Sequence, residues 1–499
     1  MTQNLSASTI KLQQTAPTPD LSKVSMYGSE RLWQWLHQSQ ISLAFTTYQT
    51  NRLFLVGCKP SGELAVNEQL FDKPMGLFVD GDRLIVSTRY QIWELENRLG
   101  TQETYHQHDR LYVPNRSYTT GDLNVHDVVV DDNNQLLFVN TDFSCLATIQ
   151  PGYSFAPVWT PSFITKLAAE DRCHLNGLAM VEGQPTYVTA CSSTDDAVGW
   201  RNHRQDGGVV IHIPSNEILT TGLSMPHSPR WYGGKLWLLN AGSGELGYLD
   251  GDKFIPITFC PGFVRGLAFN HNFAIVGLSK LRSPTFGGLA LANRLAAENH
   301  TSYCGLMVID LNTGKVVHWL RIDGVVAELF DVVVLPGVRQ PQVVGFQGDE
   351  IERLVTFPGS GGMVTTKPTV KRPSVGATAP TPGLPRDTNS RESSKVETQT
   401  PQIKYQRVYH LTPANLAPYD LMTFPSVQQR WQTQPQLGEL MAVSASVDGN
   451  MVGLVVAEIL PDLQANLLSL FVVPEYRRQG IGARLMLQLQ QDLQSQSCH

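Results

Sequence analysis

The densest chemistry in this 499-residue chain lies near its C-terminus, where arginines and two closely spaced glycines separate an apolar run from a helix-forming run. The apolar run covers residues 467–473 and stops at Pro474. The turn Arg477-Arg478-Gln479-Gly480-Ile481-Gly482-Ala483 follows, and the helical pattern continues to residue 493. A helix N-terminus presents unpaired backbone N–H groups and positive dipole charge, and glycines let a phosphate come close to them. The order strand, glycine turn, helix therefore predicts a pyrophosphate-binding turn.

A second set of chemically capable residues recurs within a loose internal repeat. Six segments, beginning at residues 74, 125, 175, 226, 264 and 329, share a small or polar pair followed by apolar residues and a turn. Their intervals of roughly 40 to 65 residues are near the period of propeller blades. Short strands separated by turns continue throughout this region. The pattern predicts an all-β propeller closed by pairing residues 43–70 with residues 331–355. Six blades are expected, with seven as the alternative if residues 43–70 form a blade of their own.

The innermost strands of a propeller line its central channel, so the polar positions of the repeat are expected to converge there. Imidazole and carboxylate groups in such a channel suit a divalent zinc, manganese or iron ion. The same groups suit a hydrogen-bonding pocket for a polar ligand, with an arginine for an anionic group. A merely polar lining of the channel mouth is the third possibility. The predicted channel residues are His126, Asp127, His174, Asn176, His227, Ser228, Arg265, Glu328 and Asp331.

Composition restricts the class of protein. The length predicts two or three domains, and a net charge of −6 gives no reason to expect a nucleic-acid partner. Seven scattered cysteines without a CxxC pair suit a reducing compartment. The polar N-terminus lacks the apolar core of a signal peptide, and no apolar run has the length of a membrane span. These features predict a cytoplasmic protein without a membrane partner.

Shifts in composition predict four segments. Residues 1–27 are rich in Thr, Gln, Ser and Pro and are expected to be disordered. Residues 28–357 form the propeller. Residues 358–403, rich in Pro, Ser and Thr, are expected to be a disordered linker. Residues 404–499 form an α/β module, so the fold class is multidomain.

The α/β module resembles the GNAT N-acetyltransferases. Its element order is β–α–α–β–β–β–glycine turn–α, and Arg477, Gly480 and Gly482 match the family's Arg/Gln-x-x-Gly-x-Gly/Ala motif. The resemblance implies acetyl-CoA as cofactor and an amine as acyl acceptor. It also implies that the turn holds the pyrophosphate and that the preceding strand lines the pantetheine and polarises the thioester. The implied cofactor-binding residues are Leu470, Phe471, Val472, Val473, Arg477, Arg478, Gln479, Gly480, Ile481, Gly482 and Ala483.

The resemblance also raises a question of completeness. A fold of this family continues with another strand, a helix and usually two more strands, whereas few residues follow the cofactor helix here. The module is therefore expected to be truncated, and either an inactive remnant or completed by another chain. Glu439 and Glu458 are candidate acid/base groups, because acetyl transfer needs a base for the amine proton. The alternative is that both are ordinary solvent-facing strand residues.

The propeller region resembles a bacterial family of conserved proteins without established activity, through residues 199–208, 222–231, 277–282 and 330–332. His174-Leu175-Asn176-Gly177-Leu178-Ala179 is also similar to gluconolactonase-type propellers, which bind a divalent ion. Three functions stay open. They are an acyl-CoA-dependent N-acyltransferase whose propeller binds a substrate or a protein partner, a non-catalytic scaffold with a vestigial transferase module, and a metal-dependent propeller hydrolase or lactonase.

Overall fold

The structure is a computed structural model. It describes residues 24–281, 288–347, 350–358, 364–365, 403–408, 439–447, 450–459, 465–473, 476 and 480–495. The chain divides into two compact units, residues 1–377 and 378–499. Among the described residues, no helix has both the length and the apolar character needed to span a bilayer.

The first unit is built from short antiparallel strands, as alternating apolar runs between turns require. Its helices are α1 (Leu32–Ser39), α2 (Ala290–Ala297) and α3 (Glu350–Arg353), with a 3₁₀ turn at Gly199–His203. Its strands, in chain order, are β1 (Val24–Gly28), β2 (Ile41–Thr47), β3 (Arg52–Cys58), β4 (Leu64–Leu70), β5 (Leu77–Asp80), β6 (Arg83–Ser87), β7 (Gln91–Asn97), β8 (Arg110–Thr119), β9 (Val125–Val130), β10 (Leu136–Asn140), β11 (Cys145–Thr148), β12 (Ala156–Trp159), β13 (Leu175–Val181), β14 (Gln184–Ala190), β15 (Gly208–His212), β16 (Glu217–Leu223), β17 (Pro226–Tyr232), β18 (Lys235–Asn240), β19 (Glu245–Asp250), β20 (Lys253–Phe259), β21 (Phe263–Asn270), β22 (Phe273–Ser279), β23 (Cys304–Asp310), β24 (Lys315–Gly324), β25 (Val332–Pro336), β26 (Pro341–Val343), β27 (Leu354–Val355) and β28 (Val364–Thr365).

Within the described part of the chain these strands form six propeller blades and a separate β27–β28 pair. The blades are β25-β2-β3-β4, β5-β6-β7-β8, β9-β10-β11-β12, β13-β14-β15-β16, β17-β18-β19-β20 and β21-β22-β23-β24. Strand β26 adds to the outside of β8, and β1 adds to the outside of β24. The six-bladed prediction is confirmed.

The ring closes as the sequence predicts. The innermost strand of the first blade, β25, comes from the end of the unit and pairs with β2 from Ile41–Pro336 to Phe45–Val332. Residues 24–27 correct the prediction of a disordered N-terminal segment, because they belong to β1, whose Val24 pairs with Gly324.

The core of the first unit lies between neighbouring blades, where the apolar faces of adjacent sheets meet. Helix α1 covers the junction between the sixth and first blades. Its Leu32, Trp35 and Leu36 are buried against Phe54 and Leu306. Apolar contacts of this kind hold each blade to the next and fix the innermost strands around the channel.

The second unit contains a four-stranded antiparallel sheet and one helix among its described residues. The strands are β29 (Lys404–Val408), β30 (Glu439–Val447), β31 (Asn450–Ile459) and β32 (Ala465–Val472), in that order across the sheet. Helix α4 (Ile481–Ser495) follows the glycine turn and buries Ile481, Leu485 and Leu489 against the sheet. Their spacing of four residues places them on one face of the helix. The two helices predicted between β29 and β30 fall on residues 409–438, outside the described residues.

Candidate functional sites in the propeller channel and at the glycine turn

The third position of each repeat alternates around the ring between a hydrogen-bond acceptor and a glycine. At the acceptor positions, Asp127 Oδ2 accepts the backbone N–H of Leu178 at 3.0 Å, and Asp331 Oδ2 accepts that of Leu77 at 2.9 Å. Likewise, Ser228 Oγ accepts the N–H of Gly266 at 2.9 Å. Each bond joins one innermost strand to that of the following blade. The side chains of these three predicted channel residues therefore connect neighbouring blades.

The alternating glycines allow the close approach that these bonds need. A Cβ on Gly76 would lie 2.9 Å from the carbonyl oxygen of His126, and one on Gly177 would lie 2.2 Å from Pro229 Cδ. Gly266 has φ +76, and its Cβ would lie 2.8 Å from the backbone nitrogen of Val332. Distances below 3 Å leave no room for a side chain. The repeat is thus explained by packing between blades.

Arg230, in the fifth blade, reaches across the channel to Asp127 in the third blade and Asp331 in the first. Its Nη1 lies 2.8 Å from Asp127 Oδ2 and also donates to the carbonyl oxygens of Leu178 and Pro229. Its Nη2 lies 3.6 Å from Asp331 Oδ1. Burial disfavours the charge, but Asp127 and Asp331 outweigh it and raise the pKa of Arg230. Burial raises the pKa of Asp331 to about 7, while Arg230 opposes that rise.

Histidine tautomers can be assigned from the acceptors around them. Thr141 donates its hydroxyl hydrogen to the carbonyl oxygen of Leu175 at 2.6 Å, so its oxygen accepts from His126 Nδ1 at 2.8 Å. The carbonyl oxygen of Asn124, 2.9 Å from the same nitrogen, also only accepts. The proton of His126 is therefore on Nδ1, and Nε2 carries the lone pair. Burial, followed by the nearby His174, lowers the pKa of His126 well below its ordinary range.

His227 has the same tautomer and a cationic neighbour. Its Nδ1 donates to the carbonyl oxygen of Met225 at 2.8 Å, and its Nε2 accepts from Arg265 Nη2 at 3.0 Å. Arg265 also lies over the ring of Phe330, with Cζ 4.7 Å from the ring centroid. Burial, followed by the positive charge of Arg265, lowers the pKa of His227 well below its ordinary range.

His174 is oriented by a carboxylate and covered by an indole. Its Nδ1 lies 3.0 and 3.1 Å from the two carboxylate oxygens of Asp171. The Nε1–H of Trp200 donates to Asp171 Oδ2 at 2.8 Å, and the Trp200 ring stacks on the imidazole at 4.1 Å. Trp200 belongs to the long polar loop between β14 and β15. That loop therefore contributes directly to the site.

The three imidazoles form one group, the histidine layer (His126, His174 and His227). The ring centroids of His126 and His174 lie 4.9 Å apart, and those of His174 and His227 lie 6.4 Å apart. The pocket beside this layer, lined by His126, His227, Arg265 and Phe330, has a volume of about 10 Å³. That is room for about one water molecule or one ion, and too little for an organic ligand.

The remaining two predicted channel residues make structural contacts. Asn176 donates to the carbonyl oxygen of His174 at 3.1 Å, and its Oδ1 accepts from the Thr189 hydroxyl at 2.8 Å. Glu328 is buried, and its Oε2 accepts the backbone N–H of Gln49 at 3.1 Å.

A larger cavity, the apolar channel, lies on the other side of the Asp127–Arg230 pair, which also lines the histidine pocket. Its volume is about 410 Å³. The later positions of the innermost strands line it, and they are apolar because strand residues alternate between faces. Its lining includes Leu77, Val79, Val129, Leu178, Met180, Leu267, Phe269, Val332 and Val334. The sequence predicts one polar site in the channel. The structure instead has a small pocket beside the histidine layer and a larger apolar cavity.

Sequence reasoning missed several members of these sites. Arg230 lies within a repeat segment. A charged residue in an innermost strand is the signal that could have indicated its role in the channel. Trp200 was the aromatic residue in an otherwise polar loop. Asp171 lies only three residues before His174, a spacing that is itself a local signal. Cys191, whose Sγ lies 3.5 Å from Asn176 Nδ2, has no such signal, because the folding of the fourth blade brings it here.

The glycine turn of the second unit is open. Gly480 is exposed and has φ +77, and a Cβ there would meet none of the described residues within 4 Å. Helix α4 starts immediately after it, and the carbonyl oxygen of Gly480 accepts the N–H of Arg484 at 3.0 Å. A Cβ on Gly482 would lie 3.7 Å from Val472 at the end of β32. The helix N-terminus and the end of the strand are thus adjacent, as predicted. Residues 477–479 lie outside the described residues.

The two candidate acid/base residues occupy neighbouring strands. Glu439 begins β30 and is opposite Ile459, whereas Glu458 is opposite Leu440. Glu458 is 0% exposed. It is therefore not the solvent-facing strand residue that the alternative interpretation required.

The sheet pairing defines the first unit as a six-bladed β-propeller, and family models agree with the division of the chain. The chain belongs to the family described as "Domain of unknown function (DUF4915)", whose model matches residues 30–344. Residues 405–499 match the model of the "Acetyltransferase (GNAT) family", so the second unit contains a GNAT domain. The resemblance of the α/β module to the GNAT N-acetyltransferases and that of the propeller region to a family without established activity are confirmed. No curated protein matches the chain.

Solved structures similar to each unit are distant. A chain of the nidogen/laminin complex has 9% identity and a TM-score of 0.36, covering 60% of this chain and 99% of its own. Virginiamycin B lyase from Staphylococcus aureus has 8% identity and a TM-score of 0.31 with the same coverage. The aminoglycoside N-acetyltransferase AAC(6')-Iy in complex with CoA has 16% identity and a TM-score of 0.17, covering 21% of this chain and 77% of its own.

Proposed function

We propose that the protein is an acyl-CoA-dependent N-acyltransferase that uses acetyl-CoA and an amine acceptor. The observation that carries this proposal is the GNAT domain at residues 405–499, with its glycine turn at the start of α4. A helix N-terminus offers backbone N–H groups to an anion, and the open side of Gly480 leaves them accessible to a pyrophosphate.

The strand before the turn supports the same proposal. Strand β32 is the edge of the described sheet, and Leu470 and Val472 lie beside Gly482. An extended pantetheine can lie along such an edge and bring its thioester to the sheet. The amine acceptor must lose a proton before or during attack. Glu458 and Glu439 are the candidates for accepting it.

For the propeller, we propose binding of an apolar small molecule or apolar substrate group in the apolar channel. Its volume of about 410 Å³ falls within the roughly 300–1,000 Å³ of ligand pockets. Asp127 and Arg230, which are paired with each other, close one end of this cavity, and the rest of its lining is mostly apolar. We also propose a cytoplasmic location, because the six described cysteines are buried and free of disulfides.

Isothermal titration of the full chain with acetyl-CoA tests the transferase proposal. We expect saturable binding at one site, and its loss in Gly480→Trp, because the indole would fill the open side of the turn. The matched control is Gly482→Ala, whose Cβ makes only ordinary contact at 3.7 Å and should retain binding. Absence of binding by the wild-type chain would refute the proposed cofactor.

A further inference from the structure

Three side chains with metal-ligating atoms meet beneath Trp200. They are His174, Cys191 and His227, all buried, and their ligating atoms lie within 4.8 Å of one another. His174 precedes β13, Cys191 follows β14, and His227 lies in β17. We call them the His174 cluster.

The surroundings of both histidines prepare them as ligands. The Nδ1–H of His174 is held by the Asp171 carboxylate, which also accepts from Trp200. The Nδ1–H of His227 is held by the carbonyl oxygen of Met225. Metal-binding histidines characteristically donate their second ring N–H to a carboxylate or carbonyl oxygen, which fixes the ring and directs the other nitrogen to the ion. This is a second observation, independent of the proximity of the three ligands.

We propose that the His174 cluster binds a divalent transition-metal ion through His174 Nε2, His227 Nε2 and Cys191 Sγ. Imidazole and thiolate are ligands of both zinc and copper, so two imidazoles and one thiolate suit either ion, with a further position for water. On binding, the Cys191 thiol releases its proton to solvent and a metal–sulfur bond forms without any change of oxidation state. His227 also lines the pocket of about 10 Å³ on its Arg265 side, which is too small for an organic ligand beside the cluster.

Arg265 competes with the ion. Its Nη2 donates to His227 Nε2 at 3.0 Å, and one lone pair cannot serve both a guanidinium and a metal. The guanidinium must therefore move away from His227 Nε2 when the ion binds. Its cation–π contact with the Phe330 ring can hold it after that hydrogen bond is lost. Removing the guanidinium should strengthen metal binding about tenfold or more, the ratio that loss of a hydrogen bond from a charged group gives.

Titration of the metal-free full chain with Co²⁺ tests this proposal, which is independent of the transferase. We expect a sulfur-to-cobalt charge-transfer band that saturates at one equivalent, together with tetrahedral cobalt absorption. Arg265→Met should reach saturation at lower Co²⁺ concentration. Cys191→Ala should lose the charge-transfer band, whereas Cys304→Ala, another buried cysteine, should keep it.

Two results would overturn the proposal. One is absence of the band in both the wild-type chain and Arg265→Met. The other is a band that persists unchanged in Cys191→Ala. If Cys191→Ala does not fold, His174→Gln gives the same decision, because loss of one imidazole should weaken Co²⁺ binding and alter the tetrahedral absorption. Unchanged affinity and spectrum in His174→Gln would contradict the assignment.

Discussion

Gly266 in the propeller and Gly480 in the GNAT domain have almost the same backbone conformation, with φ +76 and +77. Their surroundings are opposite. The next blade's backbone lies against Gly266, whereas no atom in the part of the chain that the structure describes lies within 4 Å of a Cβ on Gly480. The first glycine is required for packing and the second leaves an open surface for a ligand. A glycine in a strand–turn pattern therefore becomes evidence of a binding site only when the space beside it is empty.

The acceptor positions of the propeller extend this comparison. Asp127, Ser228 and Asp331 each accept a backbone N–H from the following blade, and the two carboxylates also face Arg230. Polar residues that are satisfied in this way stabilise the ring and are unavailable to a substrate. Tryptophan fluorescence reports on this ring, because all nine tryptophans except Trp431 lie in the first unit.

The largest expected loss of stability comes from Asp127→Ala. The substitution leaves the partly buried Arg230 with one carboxylate fewer and removes the acceptor of the Leu178 N–H. Breaking a buried ion pair costs about 3–5 kcal/mol. Denaturant unfolding followed by tryptophan fluorescence should show this loss. A change below 1 kcal/mol, the size expected of an exposed pair, would show that the channel is solvated and that Arg230 is not dependent on Asp127.

Replacing Gly266 and Gly480 by alanine separates the cost of close packing from the cost of the left-handed backbone conformation. A left-handed alanine costs roughly 1–2 kcal/mol, and overpacking adds about 1–3 kcal/mol. Gly266→Ala should therefore lower the propeller's free energy of unfolding by about 3 kcal/mol. Gly480→Ala should leave the tryptophan transition unchanged. Equal effects on that transition would contradict the difference in surroundings.

The pH dependence of stability tests the carboxylates around Arg230. The pKa of Asp331 is raised to about 7 in the folded chain, against about 3.9 when unfolded. Between these values the folded state holds a proton that the unfolded state has lost. The contribution of Asp331 to stability is therefore full below the unfolded value and falls as pH rises, by up to about 1.4 kcal/mol per pH unit. Free energies of unfolding measured from pH 4 to 8 should show this decline in the wild-type chain and not in Asp331→Asn.

The smallest effect is expected for Ser228→Ala. It removes one neutral hydrogen bond, from the Gly266 N–H, without disturbing any charge. A loss of about 1 kcal/mol is typical, measurable as a small shift in the denaturation midpoint. A loss as large as that of Asp127→Ala would mean that the charge of Asp127 adds nothing to the ring.

Local patterns in the sequence predicted the parts of the structure that depend on nearby residues. The repeat gave six blades, and the apolar pattern around Gly480 gave the strand, turn and helix order. The partition of the channel could not be predicted in this way. It depends on which blade each residue faces across the ring, as when Arg230 of the fifth blade reaches Asp127 of the third. The covering of His174 by Trp200 likewise depends on the path of a long loop.

Transfer of an acetyl group from acetyl-CoA to an amine tests the central claim most directly. The full chain should be incubated with acetyl-CoA and a set of primary amines that includes members with apolar groups, and the products weighed by mass spectrometry. We predict an amine that gains one acetyl group with the wild-type chain and with Gly482→Ala, but not with Gly480→Trp. A wild-type chain that binds acetyl-CoA and acetylates none of the amines beyond the level of Gly480→Trp would contradict the assignment as a transferase.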